Sequence, residues 1–446
     1  MKVLIYIRQA LAMMKEDKQF SAIYIAGTAV AIASAMIVAL VLHIRMANIY
    51  PEVNRDRTIY VGSNFTDSVG ARFVGCTGYS PMAFEEMFSH LECAEVVSAV
   101  INNSYVYNLT ACSELGKQEI LITPKFTDAN FFRLYEFKFL EGKPYNEENL
   151  THADKCIVIT DALAKKLFEK SEGVVGQTIQ LNYLPYRVVG VVKEVSPLLM
   201  DSSADVYLPY TVSDSRETFR GYDMVSYAGG LEARVLLKKG CTREMLMKEL
   251  EPYRVKYLSM LNSTSEHKWS WYMQVRPHWR KTLNFDSNEV NDASTQTMLL
   301  NFIPFVVIML LFLLLPAINL SGMMSNRMES RLAEMGIRKA FGAKRRTLLN
   351  QVILENLVLT LFGGAAGYLL SSLYITAIKE NRMFLTLFDH DKAPVDSVSL
   401  QLDMFFTPTM FLVAFVCCAV LNLMAALIPA WNSLGKPIVE SLNQKR

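Results

Sequence analysis

Long stretches without formal charge limit what this chain can fold into. Residues 20–42 and Met298–Leu320 each run for about 23 uncharged positions, and 407–430 carries no charge either. Residues 348–378 are also apolar, with Glu355 as the only formal charge near their centre. About 20 apolar residues in a helix cross a hydrocarbon core of ~30 Å. The sequence therefore predicts a membrane protein with four transmembrane α-helices.

Charge predicts how these helices are oriented. The basic stretch Arg327–Arg346 lies between the second and third apolar segments, and short basic loops stay on the cytoplasmic side of a membrane. Basic residues in 1–19 and 431–446 place both termini there as well. With 51% apolar and 20% charged residues, the chain is too apolar for an ordinary soluble protein. A net charge of +2 gives no indication of nucleic-acid binding.

The segment between the first two helices is then a large extracytoplasmic domain of α+β type. Cys156–Thr160 is an apolar, β-branched run typical of a buried strand, and Asp161 is predicted to cap a helix over Ala162–Glu169. A turn is predicted at Tyr183–Pro185, and Thr242 is predicted to cap a later helix. This alternation indicates one or two small α+β lobes.

Taken in order, the predicted segments alternate between the two sides of the membrane. They are a cytoplasmic leader (1–19), the first transmembrane helix (20–42), the extracytoplasmic domain (43–296), the second helix (297–320), a cytoplasmic coupling loop (321–347), the third helix (348–378), an extracytoplasmic loop (379–406), the fourth helix (407–430) and a cytoplasmic tail (431–446).

The basic stretch itself predicts a short amphipathic helix. Met328, Leu332, Met335 and Ile337 are assigned to one face. Gly342 follows the last periodic residue, where a chain leaving a helix often adopts the left-handed conformation. Such a helix is suited to docking on a soluble partner, but a basic loop that only sets topology fits these residues equally well.

A resemblance favours the docking interpretation. The run Glu334–Ala343, EMGIRKAFGA, resembles the E-x-G-I-R-x-A-x-G-A motif of bacterial ABC permeases of the MacB/FtsX/LolC type, with Met335 in place of the usual Ile. In that family the segment contacts a separate ATPase. The resemblance implies that ATP and magnesium bind to that partner and not to this chain. It also implies a set of ATPase-coupling residues: Arg331, Glu334, Gly336, Ile337, Arg338, Lys339, Gly342 and Ala343.

Other parts of the chain resemble the same family. Stretches similar to its extracytoplasmic domain are Phe131–Pro144, Ile157–Phe168, Val175–Ile179 and Tyr186–Val192. Pro429–Trp431 resembles the start of its closing motif. Residues 60–120 and 200–290 match no part of the pattern, and they are expected to vary with substrate or partner.

Small residues at helical spacing predict where the membrane helices pack. Gly27, Ala31 and Ala35 form one stripe, and Gly363, Gly367 and Ser371 form another. Such stripes let helix backbones approach closely, although alanine is also simply frequent in membrane helices.

Pro316 and Glu355 lie within the apolar segments, and each has two possible roles. Pro316 is a candidate hinge near the coupling loop, but a fixed kink is the commoner role of such a proline. Glu355 is expected to pair with Arg345 or Arg346, and a proton or substrate role is the less favoured alternative.

Motifs for catalysis or metal binding are absent from the sequence. It has no G-x-x-x-x-G-K-[ST], G-x-S-x-G, H-E-x-x-H or paired C-x-x-C string. The chain is therefore expected to be a non-catalytic subunit without a cofactor or metal of its own. Five cysteines fall in the extracytoplasmic domain, and their disulfide state is left open: Cys76, Cys93, Cys112, Cys156 and Cys241.

These observations predict the permease subunit of an ATP-driven transporter in the bacterial inner membrane. It would pass ATPase motion mechanically to its extracytoplasmic domain for export of an antibiotic, peptide or lipoprotein-like substrate. Expected partners are the lipid bilayer, an ABC ATPase, and a second copy or a homologous permease as dimer, with a periplasmic adaptor or outer-membrane channel as a further option. The alternative is an FtsX-like regulator of an extracytoplasmic partner such as a cell-wall hydrolase, without transport.

Overall fold

The computed structural model groups the chain into two compact units. One consists of 1–43, 299–381 and 402–446, and the other of 44–298 and 382–401. The residues that the structure describes are 8, 12, 14–16, 18–67, 74–101, 106–113, 119–196, 199–213, 228–264, 269–282, 331–378 and 408–435, with isolated positions from 303 to 329.

The second unit contains the predicted extracytoplasmic domain. Its described strands are β1 (Thr58–Asp67), β2 (Val74–Tyr79), β3 (Ala94–Ile101), β4 (Leu109–Ser113), β5 (Ile120–Ile122), β6 (Pro124–Thr127), β7 (Phe139–Gly142), β8 (Cys156–Thr160), β9 (Thr178–Leu181), β10 (Leu184–Val192), β11 (Val206–Pro209), β12 (Ala228–Gly229), β13 (Leu231–Leu237) and β14 (Trp269–Pro277). Its helices, numbered after α1 (Lys18–Met46), are α2 (Pro81–Phe88), α3 (Phe131–Leu134), α4 (Glu147–Thr151), α5 (Asp161–Phe168), α6 (Arg243–Thr264) and α7 (His278–Thr282).

These strands form one continuous sheet, where the sequence predicted one or two lobes. The order is β12-β2-β1-β13-β3-β6-β11-β8-β10-β9-β4-β5, with β14 paired to β1 and β7 paired to β10. The apolar residues nevertheless collect in separate clusters. One surrounds Ile157 and Val188, one surrounds Trp271 and Val61, and an aromatic one surrounds Phe131.

The strand predicted at Cys156–Thr160 is β8, and all five of its residues are buried. It lies between β10, which is parallel to it, and β11, which is antiparallel. The cap of the following helix is Thr160, whose hydroxyl accepts from the Leu163 N–H at 3.3 Å, so the predicted cap at Asp161 is wrong by one position. Asp161 is already helical, and its carboxylate accepts from the Glu194 N–H at 2.8 Å instead.

The turn between β9 and β10 lies earlier than predicted. Asn182 and Tyr183 have φ of +45° and +65°, and the strand resumes at Leu184. Pro185 is a strand residue opposite Gln180, so assigning it to the turn was wrong. A two-residue loop with positive φ at both positions matches the twist of a hairpin, which explains why the reversal is so short.

The two ends of this unit lie side by side in the sheet. β1 and β14 are antiparallel, and Ile59 near the start of β1 is opposite Pro277 at the end of β14. Residues opposite each other in such a ladder have Cα atoms about 5 Å apart. The chain therefore enters and leaves the sheet on two neighbouring strands.

The first unit contains α1 (Lys18–Met46), α8 (Leu332–Ala340), α9 (Arg345–Ile378) and α10 (Pro408–Gly435). Within the part of the chain that the structure describes, three stretches are long and apolar enough to cross a membrane: Lys18–Ile37, Arg345–Tyr374 and Phe411–Asn432. They correspond to the predicted first, third and fourth helices. The predicted second helix, with the hinge candidate Pro316, lies outside the described residues except for four exposed helical positions: Ile303, Val307, Leu311 and Leu314.

Two glycines with the same backbone conformation differ in the space around them. Gly142 has φ +67°, and a Cβ there would lie 2.2 Å from the Val189 carbonyl oxygen. Gly173 has φ +68°, but its nearest neighbour would be Lys170 Nζ at 3.7 Å. We expect Gly173→Ala to cost about 1–2 kcal/mol from backbone strain alone. Gly142→Ala should add an overpacking cost of about 1–3 kcal/mol.

Thermal unfolding of the full chain in detergent, followed by tryptophan fluorescence, measures this difference. Gly142→Ala should lower the midpoint roughly twice as far as Gly173→Ala. Equal shifts would contradict the close approach of the Gly142 and Val189 backbones.

Candidate functional site

The predicted coupling helix is α8. It begins after Arg331 and is followed by Gly342, whose φ of +88° is the left-handed conformation predicted for that position. Met335 is buried and packs into an apolar cluster formed with α9 and α10. The other buried members of that cluster are Leu348, Leu349, Val352, Ala426 and Ala430.

The opposite side of α8 is apolar and exposed. Ile337 is 50% exposed, and Phe341 is 88% exposed, the largest fraction among the exposed large apolar side chains that the structure describes. The prediction that Met335 and Ile337 share a face is wrong, because residues two apart on an α-helix lie about 200° apart around its axis. The helix therefore has one apolar side turned inward and a second apolar surface, Ile337 and Phe341, that no described residue covers.

A buried acid holds α8 onto α9. Glu355 is 1% exposed, and its carboxylate accepts from Arg331 at 2.9 Å and from the Gln351 amide at 2.9 Å. Arg338 donates to Gln351 at 2.8 Å and to Glu334 at 2.5 Å. The partner of Glu355 is thus Arg331, and the expected pairing with Arg345 or Arg346 is wrong. A buried carboxylate needs such a cation, since removing the partner leaves an uncompensated charge.

The structure divides the predicted coupling residues into groups with different surroundings. Gly336 is buried, and Ala343 packs against the Met335 cluster. Arg331, Glu334 and Arg338 belong to the ion network, Lys339 is half-buried, and Ile337 faces outward. Sequence reasoning missed Phe341 and Gln351. Phe341 could have been found from the sequence, because it is an aromatic residue directly before the glycine that ends the helix, in a stretch that is otherwise rich in charged residues.

Close helix packing is visible at the predicted second stripe. A Cβ on Gly363 would lie 2.6 Å from the Thr28 side chain, and one on Gly367 would lie 2.8 Å from the Ala29 carbonyl oxygen. The Ser371 hydroxyl is 3.6 Å from the Met36 sulfur. α9 therefore approaches α1 along this stripe.

The predicted first stripe lies beside that contact. Ala31 and Ala35 are buried and Gly27 is half-buried. The α1 atoms nearest to the two α9 glycines belong to Thr28, Ala29 and Ile32.

The second unit contains a buried cluster of charges centred on Asp201. Its carboxylate pairs with Lys281 and lies 3.7 Å from the Arg234 guanidinium. Burial raises the pKa of an acid, but here the cations, with Lys281 first and Arg234 second, outweigh it and hold the pKa of Asp201 below its usual range. Tyr60 lies beneath both cations, with Lys281 Nζ 4.2 Å from its ring centroid.

The neighbouring residue Ser202 extends this cluster to the start of the unit. Its hydroxyl donates to Glu52 at 2.5 Å, and Glu52 pairs with Arg55 at 2.7 Å; both charged side chains are almost fully buried. The segment before β1 and the α7 helix after β14 are thus bonded to two adjacent residues, Ser202 and Asp201.

This cluster does not fit a metal ion. Ligand atoms of Glu52, Asp201 and His278 lie within 4.8 Å of one another, a spacing a metal would accept. Both carboxylates are already paired, one with Arg55 and one with Lys281. A divalent cation would have to displace these groups, so the cluster is best understood as structural.

A cleft of about 610 Å³ lies over β3, between α2 on one side and α4 on the other. Its charged lining residues are all carboxylates: Glu85, Glu95, Asp128 and Glu147. Asp128 is buried at its floor and accepts from Ser98 Oγ at 2.7 Å and the Ala99 N–H at 2.9 Å. Burial raises the pKa of Asp128 to about 7 despite these hydrogen bonds.

Together these features define a class of protein, a membrane permease with an extracytoplasmic α+β domain. Residues 21–253 match the family described as MacB-like periplasmic core domain, and 306–438 match that described as FtsX-like permease C-terminal. The chain belongs to the MacB/FtsX family of ABC transporter permeases.

Known relatives are distant in sequence. The macrolide export ATP-binding/permease protein MacB of Pasteurella multocida is 25% identical over 316 residues, covering 71% of this chain and 42% of that protein. Its namesake from Escherichia coli strain K12 is 26% identical over 314 residues, covering 70% and 42%. The chain thus spans less than half the length of these relatives.

Solved structures that resemble this chain are also distant in sequence. The periplasmic region of MacB from Actinobacillus actinomycetemcomitans is 16% identical with a TM-score of 0.35, covering 52% of this chain and 94% of that one. A domain of a permease protein from Porphyromonas gingivalis is 16% identical with a TM-score of 0.39, covering 56% and 98%.

Removing the buried acid should loosen α8. Glu355→Ala leaves Arg331 without its buried partner, a loss of about 3–5 kcal/mol in comparable cases. Glu334→Ala removes an exposed partner of the same Arg331, where about 0–1 kcal/mol is usual. Hydrogen exchange across 335–341 should be at least tenfold faster in Glu355→Ala and nearly unchanged in Glu334→Ala. Equal exchange in the two variants would show that the buried pair does not fix the helix.

Asp128 should make stability depend on pH. The unfolded carboxyl releases its proton near pH 4, whereas the folded one keeps it to about pH 7. Between these values the folded state binds the extra proton, so stability falls as pH rises, by up to roughly 1.4 kcal/mol per pH unit. In Asp128→Asn this part of the slope should vanish, as thermal unfolding from pH 4 to pH 8 would show. The exposed Asp56→Asn variant should keep the wild-type slope, and an unchanged slope in Asp128→Asn would contradict the assignment.

Proposed function

We propose that this chain is the permease subunit of an ATP-driven ABC transporter whose ATPase is a separate protein that docks on α8. The exposed apolar surface of Ile337 and Phe341 is the observation that carries this proposal. An aromatic side chain left in water at the end of a short, fixed helix is the type of residue that anchors protein interfaces. The charged side chains of Glu334, Arg338 and Lys339 surround it as a polar rim.

The inward contacts of α8 support a mechanical role. Met335 and the Arg331–Glu355 pair join the helix to α9, so a force applied at Phe341 acts on α9 and not on a loose loop. The α9 glycines in turn contact α1, the helix that leads into the second unit. Motion of the ATPase would therefore reach the extracytoplasmic domain through packed helices, with no transport pore required in this chain.

The wider assembly follows the family. We propose four membrane helices, with the α+β domain inserted between the first and second and both termini in the cytoplasm. The permease would work as a dimer with itself or a homologous chain, with an adaptor or outer-membrane channel as a further partner. Relatives named for macrolide export support export over regulation. The substrate class proposed is an antibiotic, peptide or lipoprotein-like molecule.

The test is recovery and stimulation of an ATPase. The full chain in nanodiscs should retain a Walker-A protein from lysate of its own host and raise that protein's ATP hydrolysis. Phe341→Asp places a charge in the proposed interface, and losing an aromatic anchor costs at least about 2 kcal/mol, or roughly 30-fold in affinity. Titration of the purified ATPase onto the nanodiscs should show this loss together with the loss of stimulation.

Tyr107→Asp is the matched control, since Tyr107 is also an exposed aromatic, at 81%, but lies in the other unit. It should leave the affinity for the ATPase unchanged. Wild-type affinity in Phe341→Asp would reject docking on α8, and failure to recover any Walker-A protein would reject the permease proposal itself.

A further inference from the structure

Two cysteines far apart in sequence meet in the extracytoplasmic unit. Cys93 lies directly before β3 and is 3% exposed, and Cys241 lies in the turn between β13 and α6, where it is partly buried against the same cluster. Backbone hydrogen bonds through Lys238 hold the two residues near each other. The Lys238 N–H donates to the Cys93 carbonyl at 2.9 Å, and the Cys241 N–H donates to the Lys238 carbonyl at 3.1 Å.

The side chains complete the contact. The Cys241 thiol lies close enough to Cys93 to contribute to the raised pKa of the Cys93 thiol. β3 and β13 are paired up to Ala94 and Leu237, so a bond between the sulfurs would join segments that the sheet already holds together. An unstrained disulfide requires cysteines whose backbones are close together, as the shared contacts with Lys238 make these two.

We propose that Cys93 and Cys241 form a redox site, a dithiol that closes to a disulfide on the extracytoplasmic side of the membrane. This placement rests on the proposed topology, and both residues lie within the stretch that matches the MacB-like periplasmic core domain. Oxidising compartments of this kind allow disulfides to form and persist.

The oxidant is a small-molecule or protein disulfide. The thiolate of Cys241, the more accessible of the two, attacks one sulfur of that disulfide and releases the other as a thiol, giving a mixed disulfide. Cys93 then attacks the Cys241 sulfur and releases the second thiol. The two cysteines lose two protons and two electrons, and the external disulfide gains them.

Glu249 of α6 controls the second step. Its carboxylate accepts from the Cys93 N–H at 3.1 and 3.3 Å and lies against the thiol. That carboxylate, together with burial and the second thiol, raises the pKa of Cys93 to about 12. Because the thiolate is the attacking species, the negative charge of Glu249 slows closure of the bond. The site therefore stays reduced until an oxidant has reacted with Cys241, and then closes slowly.

The experiment uses the full chain in nanodiscs with oxidised glutathione at pH 8, followed by alkylation and peptide mapping. The wild type should yield a bridged peptide joining residues 93 and 241, lighter by two hydrogen atoms than the separate peptides. Cys93→Ser should stop at glutathione bound to Cys241, and Cys241→Ser should leave Cys93 unmodified. Glu249→Gln should speed closure about tenfold, whereas Glu251→Gln, an exposed acid on the same helix, should not change it.

Two results would overturn the proposal in different ways. Complete glutathionylation of Cys241 in the wild type without the bridged peptide, or a bridge from Cys241 to a different cysteine, would reject the redox site. A bridge that forms in nanodiscs but not in intact cells treated with oxidised glutathione, quenched with acid and alkylated, would instead reject the extracytoplasmic placement. Cys112, half-buried and hydrogen-bonded to Gln180, serves as an internal control that should never appear in a bridged peptide.

Discussion

The extracytoplasmic unit depends on the rule that a buried carboxylate needs a cation beside it. Asp201 and Glu52 are both nearly inaccessible to solvent, and each has its own partner, Lys281 and Arg55. Since Ser202 bonds to Glu52 while its neighbour Asp201 binds Lys281, the two ends of the unit are held at one place. A buried ion pair of this kind adds little net stability over an apolar contact, but breaking it is costly. Its effect is to fix which chain segments lie together.

The same rule operates in the membrane unit. Glu355 is almost fully buried and therefore needs a cation beside it. Arg331, at the start of α8, supplies that positive charge. α8 is thereby held by electrostatics at one end and by Met335 on its inner side. Ile337 and Phe341 lie on the outer side of this element, where no described residue covers them. Rigidity on one side and an uncovered apolar surface on the other are what a docking element requires.

Local patterns in the sequence predicted the elements well and the contacts between them poorly. β8 was predicted to the residue, because a five-residue apolar run with β-branched side chains suits only a strand buried on both faces. Errors of one or two residues arose at Thr160 and Asn182, where a cap or a tight turn shifts a boundary without changing the pattern. The partner of Glu355 was missed since Arg331 is 24 positions away, and periodicity holds no information on such pairs. The continuous sheet was missed for the same reason, as β1 finds both β13 and β14 more than 170 residues later.

The side-by-side position of Ile59 and Pro277 has a consequence for how such chains diversify. A domain whose first and last strands are adjacent can change between them without moving the points where the chain enters and leaves the sheet. Loops and lobes inserted further along the sheet change its size and surface but leave those points untouched. The chain that flanks the domain would then keep the same attachment points in every descendant. Such a domain can acquire new specificities by recombination, while the rest of the chain stays under constraint.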